Sequence, residues 1–253
     1  MSSTEVQLSE IFTSFQGEGP YLGVKQIFVR LAGCNLACQY CDTPQGLEIA
    51  PTFKYEPVPG EKKIENLKNS LSVSQLNELI EKIVKNTGHL HSISLTGGEP
   101  LLQVGFIKNW LPAVKNIIKL PIYLETNGTL PDYLAEIIEL IDIVALDFKL
   151  PSASGGTAYW KEHAKALETA YLKELFVKVV FTKETKIKEI EEAASLVAKI
   201  DNNIPFILQP VTPHGPIKHR PGMEEILAFH NIASRQLKNV RVIPQTHKLM
   251  GIA

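Results

Sequence analysis

Between residues 91 and 243, short runs rich in β-branched residues alternate with longer segments whose apolar residues recur at helical spacing. Strands are predicted at 91–95, 122–125, 143–147, 175–181, 206–209 and 240–243, with one more at 26–31. Between them lie helix-like segments: 72–86, a stretch after Pro100, 131–141, a weak one at 158–171, 186–200 and 223–234. In 72–86, Leu76, Leu79, Ile80, Ile83 and Val84 share a face, and Ser72 with Gln75 can form a capping box. Pro131 suits a helix start, whereas Pro112 should interrupt the helix it falls in. Strands joined by helices favour a parallel sheet with helical crossovers. Six or seven such units imply an α/β fold, here a partial (incomplete) TIM-type barrel of parallel strands with outer helices. Residues 10–14 are a candidate for one further strand. Residues 44–72 break the pattern with Pro44, Pro51, Pro57 and Pro59 among many lysines and glutamates. They are expected to be an inserted loop with little regular structure, within a single domain over 1–253.

In such folds chemistry gathers in the loops after strand C-termini. The first of these loops holds all three cysteines, Cys34, Cys38 and Cys41. A disulfide framework would scatter an even number of cysteines, so the grouping points to a metal site. Structural zinc and ordinary iron–sulfur clusters take four protein ligands. Three thiolates on a four-iron cluster leave one iron open to a small molecule. Zinc would need a fourth ligand, and the first histidine is His89. Zinc and inert buried thiols stand as the lesser alternatives.

The rest of the composition narrows the setting. With 26 basic and 27 acidic residues, no global field favours nucleic acid or an anionic membrane. No run approaches the roughly 18 apolar residues of a membrane span. Met1-Ser2-Ser3-Thr4-Glu5 has no basic stretch leading into an apolar one, which argues against a secretory signal. Free thiols then suggest a reducing, cytoplasmic setting.

The CxxxCxxC spacing, with Tyr40 just before the last cysteine, resembles the radical S-adenosylmethionine superfamily. Thr96-Gly97-Gly98-Glu99-Pro100 is similar to that superfamily's GGEP motif. The resemblance implies a 4Fe-4S cluster whose open iron binds S-adenosylmethionine, cleaved after one-electron reduction to a 5′-deoxyadenosyl radical that abstracts hydrogen from a substrate. Glycines there allow close backbone approach, and a carboxylate can meet the cofactor's ammonium.

Further segments resemble one family within it, the 7-carboxy-7-deazaguanine synthases of the queuosine (7-deazapurine) pathway: Ser14-Phe15-Gln16-Gly17-Glu18-Gly19, Phe28-Val29-Arg30-Leu31-Ala32-Gly33, Cys41-Asp42-Thr43 and Gln245-Thr246-His247-Lys248. The resemblance implies a carbon–nitrogen lyase that contracts the ring of 6-carboxy-5,6,7,8-tetrahydropterin with loss of ammonia, assisted by Mg2+. It implies Cys34, Cys38 and Cys41 on the cluster and Thr43 on magnesium. Tyr40, Cys41, Asp42, Gly98, Glu99, Lys149 and Gln209 would face the cofactor. Asp147 and Phe148 stand where family members often have Ser-Pro, so their cofactor role is an open expectation. Phe15, Gln16, Gly17, Glu18, Arg30, Thr96, His247 and the terminal carboxylate of Ala253 would contact the pterin. An electron donor such as flavodoxin and a homodimer are implied as partners, with no nucleic acid and no membrane.

Taken alone, several of these residues have plainer readings. Arg30 would be a solvated strand-end charge, Thr43 a turn residue, Glu18 a surface carboxylate and His247 a structural histidine. Glu125 and Asn127 suit ribose hydroxyls, although Asn127-Gly128 is equally an ordinary turn. A radical activase acting on a protein partner and a non-catalytic iron–sulfur module are the alternative functions. The second would normally supply a fourth ligand.

Overall fold

The computed structural model describes residues 4–61 and 63–251. The chain opens with β1 (Glu5–Val6), β2 (Leu8–Phe15), β3 (Lys25–Leu31), β4 (Thr52–Tyr55), β5 (Glu65–Lys68) and β6 (Leu71–Ser72). Then α1 (Val73–Asn86), β7 (Ser92–Gly97), α2 (Val104–Ile117), β8 (Ile122–Thr126), α3 (Pro131–Ile137) and β9 (Ile143–Phe148) alternate. After a single turn, α4 (Pro151–Ser154), come α5 (Trp160–Ala170), β10 (Glu174–Phe181), α6 (Ile187–Ile200) and β11 (Phe206–Pro210). The last elements are α7 (Met223–Ser234), β12 (Val240–Val242) and α8 (Thr246–Met250).

Ten strands form one sheet in the order β12-β11-β10-β9-β8-β7-β3-β2-β4-β5. From β3 through β7 to β12 every pairing is parallel, as helical crossovers require. β2 is the further strand suspected at 10–14, and it departs from the parallel pattern by running antiparallel to β3. The fold is therefore α/β with a mostly parallel sheet, and its hydrogen bonding leaves β12 and β5 as edges.

Alternation along the strands divides the molecule into two faces. Ile27, Val29, Leu31, Ile93, Leu95, Leu124, Val144, Leu146, Val177, Val179 and Leu208 pack against the helices in the main core. α1 contributes Leu76, Ile80 and Ile83, and α2 contributes Phe106, Ile107, Trp110, Leu111 and Val114. Each such side chain is worth about 1.5–3 kcal/mol when removed from water. The residues of opposite parity (Phe28, Arg30, Thr96, Tyr123, Glu125, Asp147, Lys178 and Gln209) line a cavity. Tyr123, Ala145 and Phe176, which also line it, belong to a second apolar cluster with Ile143 and Ile207.

The capping box of α1 forms as expected: Gln75 N donates to Ser72 Oγ at 3.4 Å, and Ser72 N donates to Gln75 Oε1 at 2.9 Å. Three expectations need correction. Pro112 does not interrupt α2. It sits on the exposed side one turn after exposed Lys108, so the backbone bond it forgoes faces water, and the buried face holds the helix. The helix expected over 131–141 ends at Ile137 and tightens into a 3-10 turn, Ile138–Leu140. Residues 44–72 are not devoid of regular structure. β4 and β5 form an antiparallel hairpin that extends the sheet beyond β2, with Phe53 and Tyr55 turned into the core. Among the described residues, no helix is long and apolar enough to cross a membrane.

Candidate active site

The cysteine loop leaves the end of β3 and is held by backbone bonds to its neighbours. Gly33 N donates to Gly46 O at 2.8 Å, Gly98 N to Leu31 O at 3.1 Å and Glu99 N to Gly33 O at 2.8 Å. Only glycines permit this approach. A Cβ on Gly97 would lie 2.1 Å from Leu31 O, and one on Gly98 2.0 Å from Gly33 O. A second tie comes from Asn35, whose Nδ2 donates to Thr129 Oγ1 at 2.8 Å and whose Oδ1 accepts from Asn127 Nδ2 at 3.0 Å. Cys34, Cys38 and Cys41 are free thiols, all half-buried and all lining the cavity. Burial pushes the Cys34 and Cys38 thiols up.

The cavity has a volume of about 300 Å³ and lies over the C-terminal ends of β3 and β7–β11. Of the residues expected to hold a cofactor, Tyr40, Cys41, Asp42, Gly98, Asp147, Lys149 and Gln209 line it. So do Phe15, Gln16, Gly17, Glu18, Arg30, Thr96 and His247 of the expected substrate set, together with Thr43. Ala253 lies outside the described residues.

Two expected contacts do not reach the cavity. Glu99 is fully buried behind it. Its carboxylate accepts from Leu101 N at 3.1 Å, Thr126 Oγ1 at 2.8 Å and Asn127 N at 2.7 Å. It fastens the end of β8 to the loop after β7, and burial pushes its carboxyl up to about 7 against those three donors. Phe148 alternates with Asp147 and Lys149, so it faces the core, stacked on His163 with ring centroids 4.4 Å apart. His163 Nε2 in turn lies 3.1 Å from Asn127 O and 3.3 Å from Lys149 N. Burial lowers the His163 pKa to about 4, leaving a neutral ring that joins the loops after β8 and β9.

Charged side chains around the cavity form a chain of pairs. Lys149 Nζ lies 2.9 Å from Asp147 Oδ2 and 5.3 Å from the centre of the Tyr40 ring. Asp147 Oδ2 also meets Lys178 Nζ at 3.1 Å, and Lys178 pairs with Glu18. Burial alone would raise the Asp147 carboxyl, but Lys149 and Lys178 hold it below the usual range. Asp42 is held down likewise by His247 and Lys248, which outweigh its burial. Their nitrogens lie 3.6 and 3.4 Å from Asp42 Oδ2. Arg30 Nε meets Glu10 Oε1 at 2.7 Å, and Arg30 reaches Thr43 Oγ1 at 3.4 Å. Glu125 differs from these carboxylates. It accepts from neutral donors, Gln16 Nε2 at 2.9 Å and Thr96 Oγ1 at 2.9 Å, with no cation in ion-pairing distance among the described residues.

The N- and C-terminal motifs meet at this site. Thr246 N donates to Gly17 O at 3.0 Å, and Gln245 Nε2 donates to Glu18 Oε1 at 3.0 Å and Asp42 Oδ2 at 2.9 Å. A side chain on Gly17 would run into His247 at 2.5 Å. The ligand-type atoms of Glu18, Asp42 and His247 all lie within 4.8 Å of one another, a spacing that suits a metal ion. Sequence reasoning passed over Lys178, Glu10 and Gln245 as site residues. Lys178 had a signal: it is the lone charge inside the strand Leu175-Phe176-Val177-Lys178-Val179-Val180, at inward parity.

Comparison with known proteins agrees with this geometry. Residues 29–197 match the model of the radical SAM superfamily. A 7-carboxy-7-deazaguanine synthase from Geobacter sulfurreducens is 41% identical over 99% of this chain and 99% of its own. One from Thermococcus kodakarensis is 33% identical over 98% of this chain and 99% of its own. In fold, the chain is similar to QueE from Escherichia coli, with a TM-score of 0.60 and 21% identity over 94% of this chain and 93% of that one. It is also similar in fold to SuiB from Streptococcus suis bound to S-adenosylmethionine, with a TM-score of 0.54 and 18% identity over 83% of this chain and 48% of that one.

Proposed function

The chain belongs to the radical SAM superfamily and, within it, to the 7-carboxy-7-deazaguanine synthases, and from that membership we propose that it converts 6-carboxy-5,6,7,8-tetrahydropterin to 7-carboxy-7-deazaguanine and ammonia. The observation that carries the reading is the convergence of residues 15–18 with Gln245, His247 and Lys248 on the cavity lined by the three thiols. Product and ammonia together contain every atom of the substrate, so the reaction is a redox-neutral carbon–nitrogen lyase step.

The donor set suits the cluster: three thiols on one loop, with no fourth cysteine in the chain. S-adenosylmethionine suits three buried polar atoms of the cavity residues that lack partners within the chain: Asp147 Oδ1, Gln209 Oε1 and the Tyr40 hydroxyl. The Gly97-Gly98 backbone gives it close approach. When bound, cluster and cofactor supply the one-electron chemistry that opens the reaction. The protein's own part is to hold the pterin and exclude water. Arg30 spends Nε on Glu10 and retains guanidinium donors for the substrate carboxylate. Glu125, the carboxylate lacking a cation, suits the N–H edge of the pterin. Glu18, already engaged by Lys178, Gln209 and Gln245, serves better as a support. Thr43 supplies a hard oxygen for magnesium, with Asp42 beside it. The alternative trio of Glu18, Asp42 and His247 is weaker, because Lys178 and Lys248 already neutralise its carboxylates.

A single cavity lined from β2, β3 and β7–β11 supports reading the open sheet as an incomplete barrel, and one sheet around one site supports a single domain. The free thiols support a reducing, cytoplasmic setting. The chemistry requires an outside electron donor such as flavodoxin, and exposed Met223 and Leu227 on α7 suit a homodimer. The test is anaerobic turnover of the reconstituted protein with S-adenosylmethionine, reductant, magnesium and the tetrahydropterin, with the product identified by mass. Untouched pterin alongside active S-adenosylmethionine cleavage would reject the substrate.

A further inference from the structure

Lys178 is a largely enclosed cation of the cavity wall to which the roles above assign no task. It stands on the inward face of β10, in register with Asp147 on β9. Its ammonium lies 3.1 Å from Asp147 Oδ2 and meets Glu18 Oε2, and only 12% of the side chain is exposed. A buried ammonium is costly unless paired. Here burial works against the charge, and Asp147 and Glu18 more than restore it.

The two carboxylates depend on Lys178 unequally. Asp147 has a second cation, Lys149, at 2.9 Å. Glu18 has no other cation within ion-pairing distance among the described residues. Yet Glu18 helps to anchor the segment that brings Gln245, His247 and Lys248 to the cavity wall. Its Oε1 accepts from Gln209 Nε2 at 3.0 Å and from Gln245 Nε2 at 3.0 Å. Gln245 carries the connection on to Asp42 at 2.9 Å. Asp42 adds negative charge beside Glu18, so without Lys178 the Glu18 carboxylate would turn away toward water. That deprives Gln245 of one of its two charged acceptors, and such bonds are about twice as strong as neutral ones.

We propose that Lys178 is a positioning residue: as the fixed counter-ion of Glu18 it latches residues 245–248 against the cavity and so shapes the seat of the substrate. The proposal takes the identity of the substrate from the reaction proposed above, whereas the latch itself stands on the geometry of the chain.

The test is Lys178→Ala in the full, cluster-loaded protein. Backbone amide exchange of residues 245–250, measured without substrate, is expected to quicken about ten- to a hundredfold, the loss of one charge-assisted hydrogen bond. The KM for the tetrahydropterin is expected to rise over a similar range, with a much smaller change in kcat. Propylammonium should restore both, and propanol neither. Unchanged exchange would overturn the proposal, as would equal rescue by propanol, which would mean that Lys178 only fills space. If Lys178→Ala fails to load the cluster, Gln245→Leu cuts the same latch at its other end. Faster exchange in that variant supports the latch, and unchanged exchange overturns it. Wild-type protein that leaves the pterin untouched while Lys178→Ala loosens residues 245–250 would count against the reaction and not the latch.

Discussion

Gly98→Ala should weaken the site at its seam. The added Cβ would stand 2.0 Å from Gly33 O and 2.9 Å from Gly46 O, while real Cβ contacts essentially never fall under 3.0 Å. All three segments are backbone, so no side chain can swing aside, and the loop after β7 must part from the cysteine loop by about 1 Å. Two bonds close that seam, Gly98 N to Leu31 O at 3.1 Å and Glu99 N to Gly33 O at 2.8 Å. A buried backbone group left unpaired costs about 1–3 kcal/mol, so breaking both costs about 2–6 kcal/mol. Against a total stability of about 5–15 kcal/mol, the protein should remain largely folded with a displaced cysteine loop. Urea unfolding of the metal-free protein measures the loss, and iron per chain after anaerobic reconstitution measures the displacement. Both should fall. Gly88→Ala is the control, because its Cβ would meet nothing within 4 Å and the change should stay within about 0.5 kcal/mol. A Gly98→Ala protein within 1 kcal/mol of the parent, by the same estimate, and loading iron fully would refute close approach as the reason for the glycine.

Cys38→Ala should abolish iron–sulfur absorption and turnover together, and retention of either would remove Cys38 from the ligand set. Glu99 predicts a pH dependence. Its carboxyl is raised by burial to about 7 from 4.5, so its contribution to stability is complete below pH 4.5 and is lost as pH rises through about 7. The amount is about 3 kcal/mol, and Glu99→Gln should remove that part of the slope in unfolding free energy between pH 4.5 and 8, whereas an unchanged slope would contradict the burial argument. Thr43→Ala should leave cluster assembly intact and weaken the response to magnesium; an unaltered magnesium titration would take Thr43 out of the site.

The parallel half of the sheet was legible because each strand from β7 to β11 is bounded by helix-length amphipathic segments. β4 and β5 were not. Thr52-Phe53-Lys54-Tyr55 and Glu65-Asn66-Leu67-Lys68 are too short and too mixed to stand out; pairing with β2 gives β4 its conformation, and β5 takes its own from pairing with β4. Pro112 misled because the rule for proline is local, while the apolar face from Phe106 to Val114 is a tertiary gain. In the site, the cysteines, Gln16, Arg30, Thr96 and His247 fell on one cavity as their motifs implied. Glu99 and Phe148 did not, for a reason of parity and burial: a motif names neighbours along the chain, whereas a strand sends alternate residues to opposite faces. The same parity marks Lys178 as inward, which made it readable beforehand.

The contact between Glu18 and Gln245 joins positions 227 residues apart. A ribosome adding about 5–20 residues per second needs roughly 11–45 s to cover that interval. For most of it the nascent polypeptide already presents its thiols while the wall that will enclose them has not yet been made. Iron delivered during translation would meet an unroofed, oxygen-accessible loop, so loading should follow release of the finished chain.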